Sequence, residues 1–317
     1  MNEKYTPPVR TQEKETSILD SQENQLLLFK KLEPVYVNRT ENLISFKGSM
    51  SGTNHEKEYT EESINRDKAY VKYTREKIEE TNSSFGKDHL EHLEGGFQLS
   101  EILQAMVVDR LNKHWFKDCK SIMTSDYDDL NVGIDAIMKH KDGGYLGMAF
   151  DFTVTNQDKV IYQKLQKNWE KNVKDGDVPT IKYFEDPDTK EKGRLLVPKF
   201  IIGASKKDVE ELANAYLTNN EEVLENHPLK YLILLQIEEQ LQAALDYHAL
   251  NINDPKLKFA KKQYKKIEEI LRNIKNEIHT DEKIHKNTDL HKYTESSMAL
   301  SMMRRFRIMR EQDSKKE

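Results

Sequence analysis

The sequence predicts an α+β protein with a small mixed sheet, flanking helices and a helical C-terminal region. Apolar residues recur at helical spacing between residues 97 and 116. Apolar and polar residues then alternate along 132–139 and 145–154, as they do in strands with two different faces. The last third of the chain returns to helical periodicity. These three observations together indicate a sheet built between helices.

Composition predicts three regions along the chain. Hydrophobic residues make up 36% and charged residues 33%, which allows a modest core plus polar segments outside it. Residues 48–75 are almost all polar or charged, so we expect residues 1–90 to be flexible or weakly ordered. Residues 91–220 carry the predicted α/β core. Residues 221–317 are predicted to form a helical C-terminal region.

The core is predicted to begin with a helix that ends near residue 116. Ser100 is a suitable N-cap, and Glu101 then falls in the first turn, where a negative charge is favourable. Three strand candidates follow, at residues 119–124, 132–139 and 145–154. The turn signal Asp142-Gly143-Gly144 predicts that the last two strands are antiparallel neighbours.

The second half of the core is predicted to cross back to the sheet. A helix at 158–171 carries Ile161 and Leu165 inward, and a charged loop or second hairpin follows at 182–194. Residues 195–203 form an apolar strand candidate. Ser205 and Asp208 have the spacing of a capping box for the next helix. Further helices are predicted at residues 227–250, 255–278 and 296–310.

Several classes of protein are excluded at this level. The single cysteine, Cys119, excludes an intramolecular disulfide framework and a cysteine-rich zinc site. The net charge of −5 excludes a globally basic nucleic-acid coat, although a local basic patch remains compatible. No apolar run approaches the roughly 18 residues that span a bilayer. The first 20 residues are polar. We therefore expect a cytoplasmic protein without a membrane partner.

Asp135 and Asp151 are the most informative pair of residues. Each lies within a strand candidate, where aspartate is disfavoured, and on the face away from the larger apolar residues. A turn centred near residue 143 places the two opposite each other across the ladder. Facing carboxylates repel unless a positive charge lies between them, and a divalent cation with oxygen ligands supplies it. The alternative is a pair of half-exposed residues that form salt bridges with lysines.

Other acids near this pair predict a hard, oxygen-rich site. Glu101 is a candidate third ligand, and Asp128 or Asp129 a fourth, which favours Mg²⁺ or Mn²⁺ over zinc. Such a site is suited to metal-dependent phosphodiester cleavage. Simpler interpretations stay open, with Glu101 acting on the helix dipole and residues 126–129 forming a solvated turn.

With these elements the chain resembles the PD-(D/E)XK nuclease superfamily. The resemblance rests on Glu101, Gly133-Ile134-Asp135 and Asp151-Phe152-Thr153, and covers roughly residues 97–204. It implies a restriction-endonuclease-like αβββαβ core with a mixed central sheet and metal-dependent cleavage of DNA or RNA. It also implies that the two acids bind the metal, while a lysine two residues after the second acid positions and activates the attacking water.

The sequence departs from the superfamily pattern at that lysine, because Thr153 stands in its place. Some members of the superfamily recruit a lysine or glutamine from a neighbouring element. Lys159, Gln163 and Lys167 share one face of the following helix and are candidates, with Lys159 taken as the catalytic one. Lys139 on the Asp135 strand is a further candidate.

A second class of function stays open from the sequence. In it the α/β core is a catalytically inactive scaffold, and the chain acts as a protein–protein or nucleic-acid interaction module. The helical C-terminal region would then bind a protein partner. The most basic short segment there holds four arginines, which suit either phosphates or salt bridges: Arg304, Arg305, Arg307 and Arg310.

Overall fold

The computed structural model of the chain describes residues 18–36, 43–84, 87–113, 115–141, 147–155, 157–186, 188–279 and 297–314. Within them the fold is α+β, as predicted, with a mixed four-stranded sheet, a separate two-stranded hairpin and surrounding helices. The predicted turn at residues 142–144 lies outside the described residues.

The sheet is mixed because one crossover returns a strand parallel to its neighbour. The strands are β1 (Cys119–Met123), β2 (Ala136–His140), β3 (Gly147–Val154), β4 (Thr180–Glu185), β5 (Lys192–Leu196) and β6 (Lys199–Ala204). The four-stranded sheet has the order β1-β2-β3-β6, with antiparallel pairs up to β3 and a parallel β3–β6 pair. The β4–β5 pair is an antiparallel hairpin, one of the two forms expected for that segment.

Helices precede, interrupt and follow the strands. They are α1 (Gln22–Tyr36), α2 (Glu61–Ser84), α3 (Lys87–Asn112), α4 (Asp126–Val132), α5 (Asp158–Asn168), α6 (Lys206–Leu217), α7 (Glu221–Asn226), α8 (Leu229–Leu250), α9 (Leu257–His279) and α10 (Met298–Ser314). A π-helical segment, Trp169–Lys174, continues α5. Among the described helices, none combines the length and the apolar character that crossing a membrane requires.

The two faces of β3 pack against different clusters, as its alternating pattern predicts. Phe150 and Phe152 enter the main core beneath the helices. Ala149 points to the other face and packs with Ile137 of β2 in a second cluster under the β4–β5 hairpin. The acidic residues of this second face therefore lie beside the hairpin rather than in the main core.

The Ser205–Asp208 capping box is confirmed at the start of α6, where both reciprocal hydrogen bonds form. The predicted start of the first core helix is wrong. The helix α3 begins at Lys87, so Ser100 is not its N-cap and Glu101 is not in its first turn. Glycine at positions 95 and 96 costs a helix roughly 1 kcal/mol each, which this 26-residue helix tolerates.

Residues 126–132 form the helix α4 rather than a solvated turn leading into a strand. Ser125 caps this helix by accepting a hydrogen bond from the Asp128 backbone N–H, and Gly133 ends it in the left-handed conformation. The strand β2 consequently begins at Ala136, four residues later than the predicted 132. The Ser-x-x-Asp spacing at 125–128 is a helix-start signal that the alternation of the following residues obscured.

The described part of the N-terminal region also differs from the expected weak order. Leu43, Phe46, Tyr59 and Ile64 form a buried cluster with Tyr183 of the β4–β5 hairpin. The Tyr59 hydroxyl donates to the Lys182 carbonyl oxygen at 2.7 Å. A few large aromatic side chains thus anchor a segment whose average composition is polar. Residues 1–17 and 37–42 lie outside the described part.

Candidate functional site

Asp135 and Asp151 lie together at one end of the β2–β3 ladder. The paired register runs from Met138↔Met148 to Ala136↔Phe150, and Asp135 and Asp151 adjoin the last pair. The Asp135 backbone N–H donates to the Phe150 carbonyl oxygen at 2.8 Å, which is one residue out of that register. Both side chains are buried, with 6% and 9% of their residue surface exposed, so they are not the half-exposed pair of the simpler alternative.

The carboxyl group of Asp135 is bonded on one side to the backbone and on the other to a second acid. Its Oδ2 accepts a hydrogen bond from the Phe152 backbone N–H at 2.6 Å. Burial raises the pKa of Asp135 well above its ordinary value, and the negative charges of Asp129 and Asp151 raise it further. A side-chain hydrogen bond with Asp129 acts in the same direction. The neutral form of the Asp135 carboxyl group is therefore favoured more than in a free aspartate.

Two ammonium groups face the carboxylate of Asp151. Lys164, from α5, places its Nζ 2.5 Å from Oδ1 and 3.2 Å from the Phe152 carbonyl oxygen. Lys199, the first residue of β6, places its Nζ 3.5 Å from Oδ2. The α5 lysine is half-buried and Lys199 is almost fully buried. Both oxygens of Asp151 thus lie in a positive environment at low solvent exposure.

Lys199 also closes the C-terminal end of α4. Its Nζ donates to the carbonyl oxygens of Val132 and Gly133, at 3.2 and 3.4 Å. A cation is favourable there because the last carbonyl groups of a helix lack intrahelical donors. Burial lowers the pKa of Lys199, the charge of Asp151 opposes this effect, and the charges of Lys164 and Lys167 add to it. Lys199 therefore contacts both the carbonyl groups at the end of α4 and the carboxylate of Asp151 on β3.

Gly133 makes the close approach of these elements sterically accessible. Its φ of +66° is in the left-handed region that a side chain rarely adopts. A Cβ at this position would lie 3.5 Å from Lys199 Nζ and 3.6 Å from Asp151 Oδ2. The glycine of the Gly-x-Asp motif thus ends α4 and leaves space beside the acid and the lysine.

Asp128 has a structural environment, separate from the Asp135–Asp151 pair. Its residue surface is fully buried, and its Oδ1 accepts from the Lys182 backbone N–H at 2.7 Å. Its Oδ2 accepts from the Tyr183 backbone N–H at 3.0 Å and from the Ser125 hydroxyl at 2.7 Å. Burial raises the pKa of Asp128, while these donors oppose the rise. This carboxyl group joins α4 to the edge of β4.

Glu101 is predicted from the sequence to be a third ligand beside this pair. Glu101 lies half-buried within α3, and its carbonyl oxygen accepts from the Tyr36 hydroxyl at 3.3 Å. Asp129, Asp151 and Lys164 are the charges that act most strongly on Asp135, and Glu101 is not among them.

The candidates for the replacement lysine are distributed as follows. Lys159 and Gln163 are exposed on α5, and Lys167 is exposed there as well, although its charge acts on Lys199. Lys139 instead pairs with Asp186, at 2.6 Å. Thr153 is buried on β3. Lys164 is thus the α5 lysine that the structure brings to the acids, one residue from the face that the sequence analysis selected.

Two site residues, Lys164 and Lys199, were missed by sequence reasoning. Lys164 is adjacent in sequence to the inward-facing Leu165, so a long side chain at its position can reach around the helix to the sheet. Lys199 is the one charged residue in the apolar run from Leu195 to Gly203. A lysine inside an apolar strand needs a partner, which was the available signal.

The arrangement fits a magnesium-type ion held by few protein ligands. Among the described residues, no three or more histidine, cysteine, aspartate or glutamate side chains form a ready metal-ligand group. Mg²⁺ commonly uses one or two carboxylates and completes its shell with water and substrate phosphate oxygens. Asp135 and Asp151 offer two such carboxylates, and the negative charges of Asp129 and Asp151 beside Asp135 make a positive charge favourable there. The donor set therefore suits Mg²⁺ or Mn²⁺ in that mode.

Comparisons of this chain with protein-family models, with curated proteins and with solved structures gave no match. The functional interpretation therefore depends on the geometry of the site. That geometry consists of three acids and two lysines, from α4, the residue before β2, β3, α5 and β6, around one end of the sheet.

Proposed function

We propose that the chain is a metal-dependent nuclease of PD-(D/E)XK type, which hydrolyses phosphodiester bonds in DNA or RNA. One observation carries the proposal. Asp135 and Asp151 are buried together at the end of the β2–β3 ladder, and the ammonium of Lys164 lies 2.5 Å from the second acid. Two acids and a lysine converging at one strand end are the chemical groups that this reaction uses.

The order of elements supports a restriction-endonuclease-like core. Apart from the short helix α4 between β1 and β2 and the β4–β5 hairpin, the order is a helix, three antiparallel strands, a crossover helix and a parallel fourth strand: α3, β1, β2, β3, α5 and β6. This order is compatible with the αβββαβ succession that the resemblance implies. The β4–β5 hairpin is inserted in the crossover between α5 and β6 and covers the face that carries both acids.

In this proposal Asp135 and Asp151 would hold Mg²⁺ or Mn²⁺. Bound there, the ion would neutralise charge on the phosphoryl group and lower the pKa of a water molecule. Burial and the negative charges of Asp129 and Asp151 raise the pKa of the Asp135 carboxyl group, and a bound cation would oppose both effects. Burial of both acids limits competing hydration of the bound phosphate.

Lys164 would supply the positive charge that Thr153 lacks. An ammonium group has three donors, and two of them are directed at Asp151 Oδ1 and the Phe152 carbonyl oxygen. The third is available to hold a water molecule or a phosphate oxygen beside the acid. Hydrolysis then adds one water across a P–O ester bond and leaves a phosphate monoester and a free hydroxyl group.

Cleavage of labelled single-stranded and duplex DNA and RNA with Mg²⁺ or Mn²⁺ tests the proposal. Asp135→Asn and Asp151→Asn should each lower the rate by on the order of 100-fold or more, because each removes a charge from the reacting centre. Asp158→Asn is the matched control, since this acid is exposed at the start of α5. Equal rates in all four proteins would assign any cleavage to a contaminant.

Lys164→Gln and Lys159→Gln form a second matched pair on the same helix. We expect the first substitution to lower the turnover rate and the second to leave it close to wild type, because Lys164 contacts Asp151 whereas Lys159 is exposed on α5. The reverse result would return the catalytic role to Lys159. Chemical rescue of Lys164→Cys by aminoethylation, which restores an ammonium group, would separate a role in chemistry from a role in folding.

An inactive interaction module is the second candidate, and one observation favours it. Lys164 and Lys199 already balance Asp151 in the absence of any ion, so the cluster is also stable as a buried ion-pair network. For this candidate we expect no cleavage under any of the four substrate conditions. We also expect no change in melting temperature when Mg²⁺ or Mn²⁺ is added.

A further inference from the structure

The N-terminal half of α9 carries an unusual concentration of positive charge. Between Pro255 and Ile267 the chain has six lysines and no acidic residue, although its net charge is −5. We call this set the lysine stripe; its members are Lys256, Lys258, Lys261, Lys262, Lys265 and Lys266. Acidic residues resume directly after it, at Glu268 and Glu269.

The fold turns the lysine stripe toward solvent. The opposite face of α9 is buried: Leu257 is enclosed at the start of the helix, and the main core contains Ala260, Tyr264 and Ile267. The helical period therefore places the lysines on the outer face, where four are exposed and two are half-buried. The stripe cannot rotate inward without removing these apolar side chains from the core.

Several surface cations of the described residues form ion pairs with carboxylates, and those of the lysine stripe do not. Lys206 and Lys207 contact glutamates one turn along α6, and Arg304 and Arg307 contact Glu239. Within the part of the chain that the structure describes, no carboxylate lies within ion-pair distance of the stripe. The six like charges repel one another, and an anionic partner would relieve that repulsion.

An exposed aromatic ring lies within the same surface. Phe259 is 45% exposed and precedes Lys262 and Lys266 by three and seven residues, so the three share one face of α9. A basic surface with an exposed aromatic ring is the combination by which proteins hold unpaired nucleic acid, since the ring stacks on a base while the cations contact phosphates. An acidic protein partner would use the lysines and leave the ring unexplained.

The stripe is connected to the candidate active site through one continuous segment. The α5 helix carries Lys164 at the site and continues as the π-helical segment to Lys174, about 15 Å further along the axis. Gly176 follows, and a Cβ there would lie 2.8 Å from the Lys256 carbonyl oxygen. The beginning of the stripe therefore adjoins the end of the segment that supplies the site lysine.

We propose that the lysine stripe and Phe259 bind the phosphate backbone and an unpaired base of single-stranded nucleic acid. This inference rests on the proposed nuclease function and specifies where its substrate is held outside the αβββαβ core. In this proposal the α8–α9 region binds the substrate at a place separate from the candidate active site.

Fluorescence anisotropy with labelled 30-nucleotide single-stranded DNA, single-stranded RNA and a 30-bp duplex tests this proposal. The assay uses the full chain in EDTA, so cleavage does not contribute, at salt concentrations from about 50 to 200 mM. The test variant is Lys258→Gln with Lys262→Gln and Lys265→Gln. The control, Lys57→Gln with Lys206→Gln and Lys207→Gln, removes the same charge from exposed lysines elsewhere.

The test variant should reduce the slope of log affinity against log salt by about 2, since each lost phosphate contact contributes about 0.7 for a single strand. The control should keep the wild-type slope, and a Lys→Arg version of the test variant should restore binding. Phe259→Leu should weaken single-strand binding at least about fivefold and leave duplex binding unchanged. DNA and RNA are distinguished by which probe binds the wild type more tightly.

The failures of the two proposals are distinguishable. Equal slopes in test variant and control, or displacement of the probe by polyglutamate at the same charge concentration, would overturn the nucleic-acid assignment of the stripe while leaving cleavage unaffected. A stripe-dependent slope in a chain that cleaves nothing would support the stripe and count against the nuclease. Absence of binding by wild type to all three probes would overturn the stripe proposal directly.

Discussion

Asp128 and Asp135 are both buried carboxyl groups, and the molecule holds them in opposite ways. Asp128 accepts hydrogen bonds from two backbone N–H groups of β4 and from the Ser125 hydroxyl. Asp135 accepts one from the Phe152 backbone, and its charged neighbours are Asp129, Asp151 and Lys164. The first set of contacts stabilises the fold, whereas the second places two like charges beside Asp135. Burial alone therefore does not mark a functional acid; the charge of its neighbours does.

The largest effect that this comparison predicts is at Asp128. Asp128→Ala should lower the free energy of unfolding by about 3 kcal/mol, because it leaves the Lys182 and Tyr183 backbone N–H groups buried without acceptors. Urea unfolding measures the change. Asp126→Ala is the control, since it removes an ion pair with half-exposed Arg75 and should cost less than about 1 kcal/mol. Equal losses in the two variants would contradict a structural role specific to Asp128.

A smaller effect is expected at Gly133, which lies between the two environments. Gly133→Ala should lower the free energy of unfolding by about 1–2 kcal/mol, because the residue has a φ of +66°. Gly133→Asn should cost less, since asparagine adopts this conformation more readily. The same unfolding measurement applies to both. An alanine variant as stable as wild type would show that the left-handed turn is not required to end α4.

The smallest effect on stability, and the opposite sign, is expected at Asp135. Asp135→Asn should leave the free energy of unfolding unchanged or raise it by about 1 kcal/mol. The amide oxygen can still accept from the Phe152 N–H, while the repulsion with Asp129 and Asp151 is removed. If Asp135→Asn lowered the free energy of unfolding as much as Asp128→Ala, both acids would stabilise the fold and the difference between them would be contradicted.

The sequence predicted the antiparallel pairing of β2 and β3 because strands have a period of two. Alternation along 145–154 indicates which residues share a face, and the register that forms reaches Ala136↔Phe150, the pair next to Asp135 and Asp151. The capping box of α6 is equally local and equally well predicted. The strand pairing and the capping box depend on residues that are close in sequence, so the spacing of those residues is sufficient to predict them.

The features that were missed depend on contacts distant in sequence. The sequence analysis chose the α5 face of Lys159 and Gln163, whereas Lys164 reaches Asp151 because α5 packs with Ile161 and Leu165 against the sheet. Only the packed orientation of the helix decides which flanking lysine reaches the acids. The burial of Tyr59 and Phe46 in the N-terminal region also depends on a distant contact, since Tyr183, more than 100 residues away, covers them.

Binding of Mn²⁺ measured by titration calorimetry tests the central claim most directly. The proteins are wild type, Asp135→Asn with Asp151→Asn, and Asp158→Asn, each without and with an oligonucleotide whose phosphorothioate backbone resists cleavage. We predict one bound ion in wild type and in Asp158→Asn, under at least one condition, and none in the double variant. Equal binding in all three proteins, or no binding by wild type under either condition, would contradict a metal site at Asp135 and Asp151.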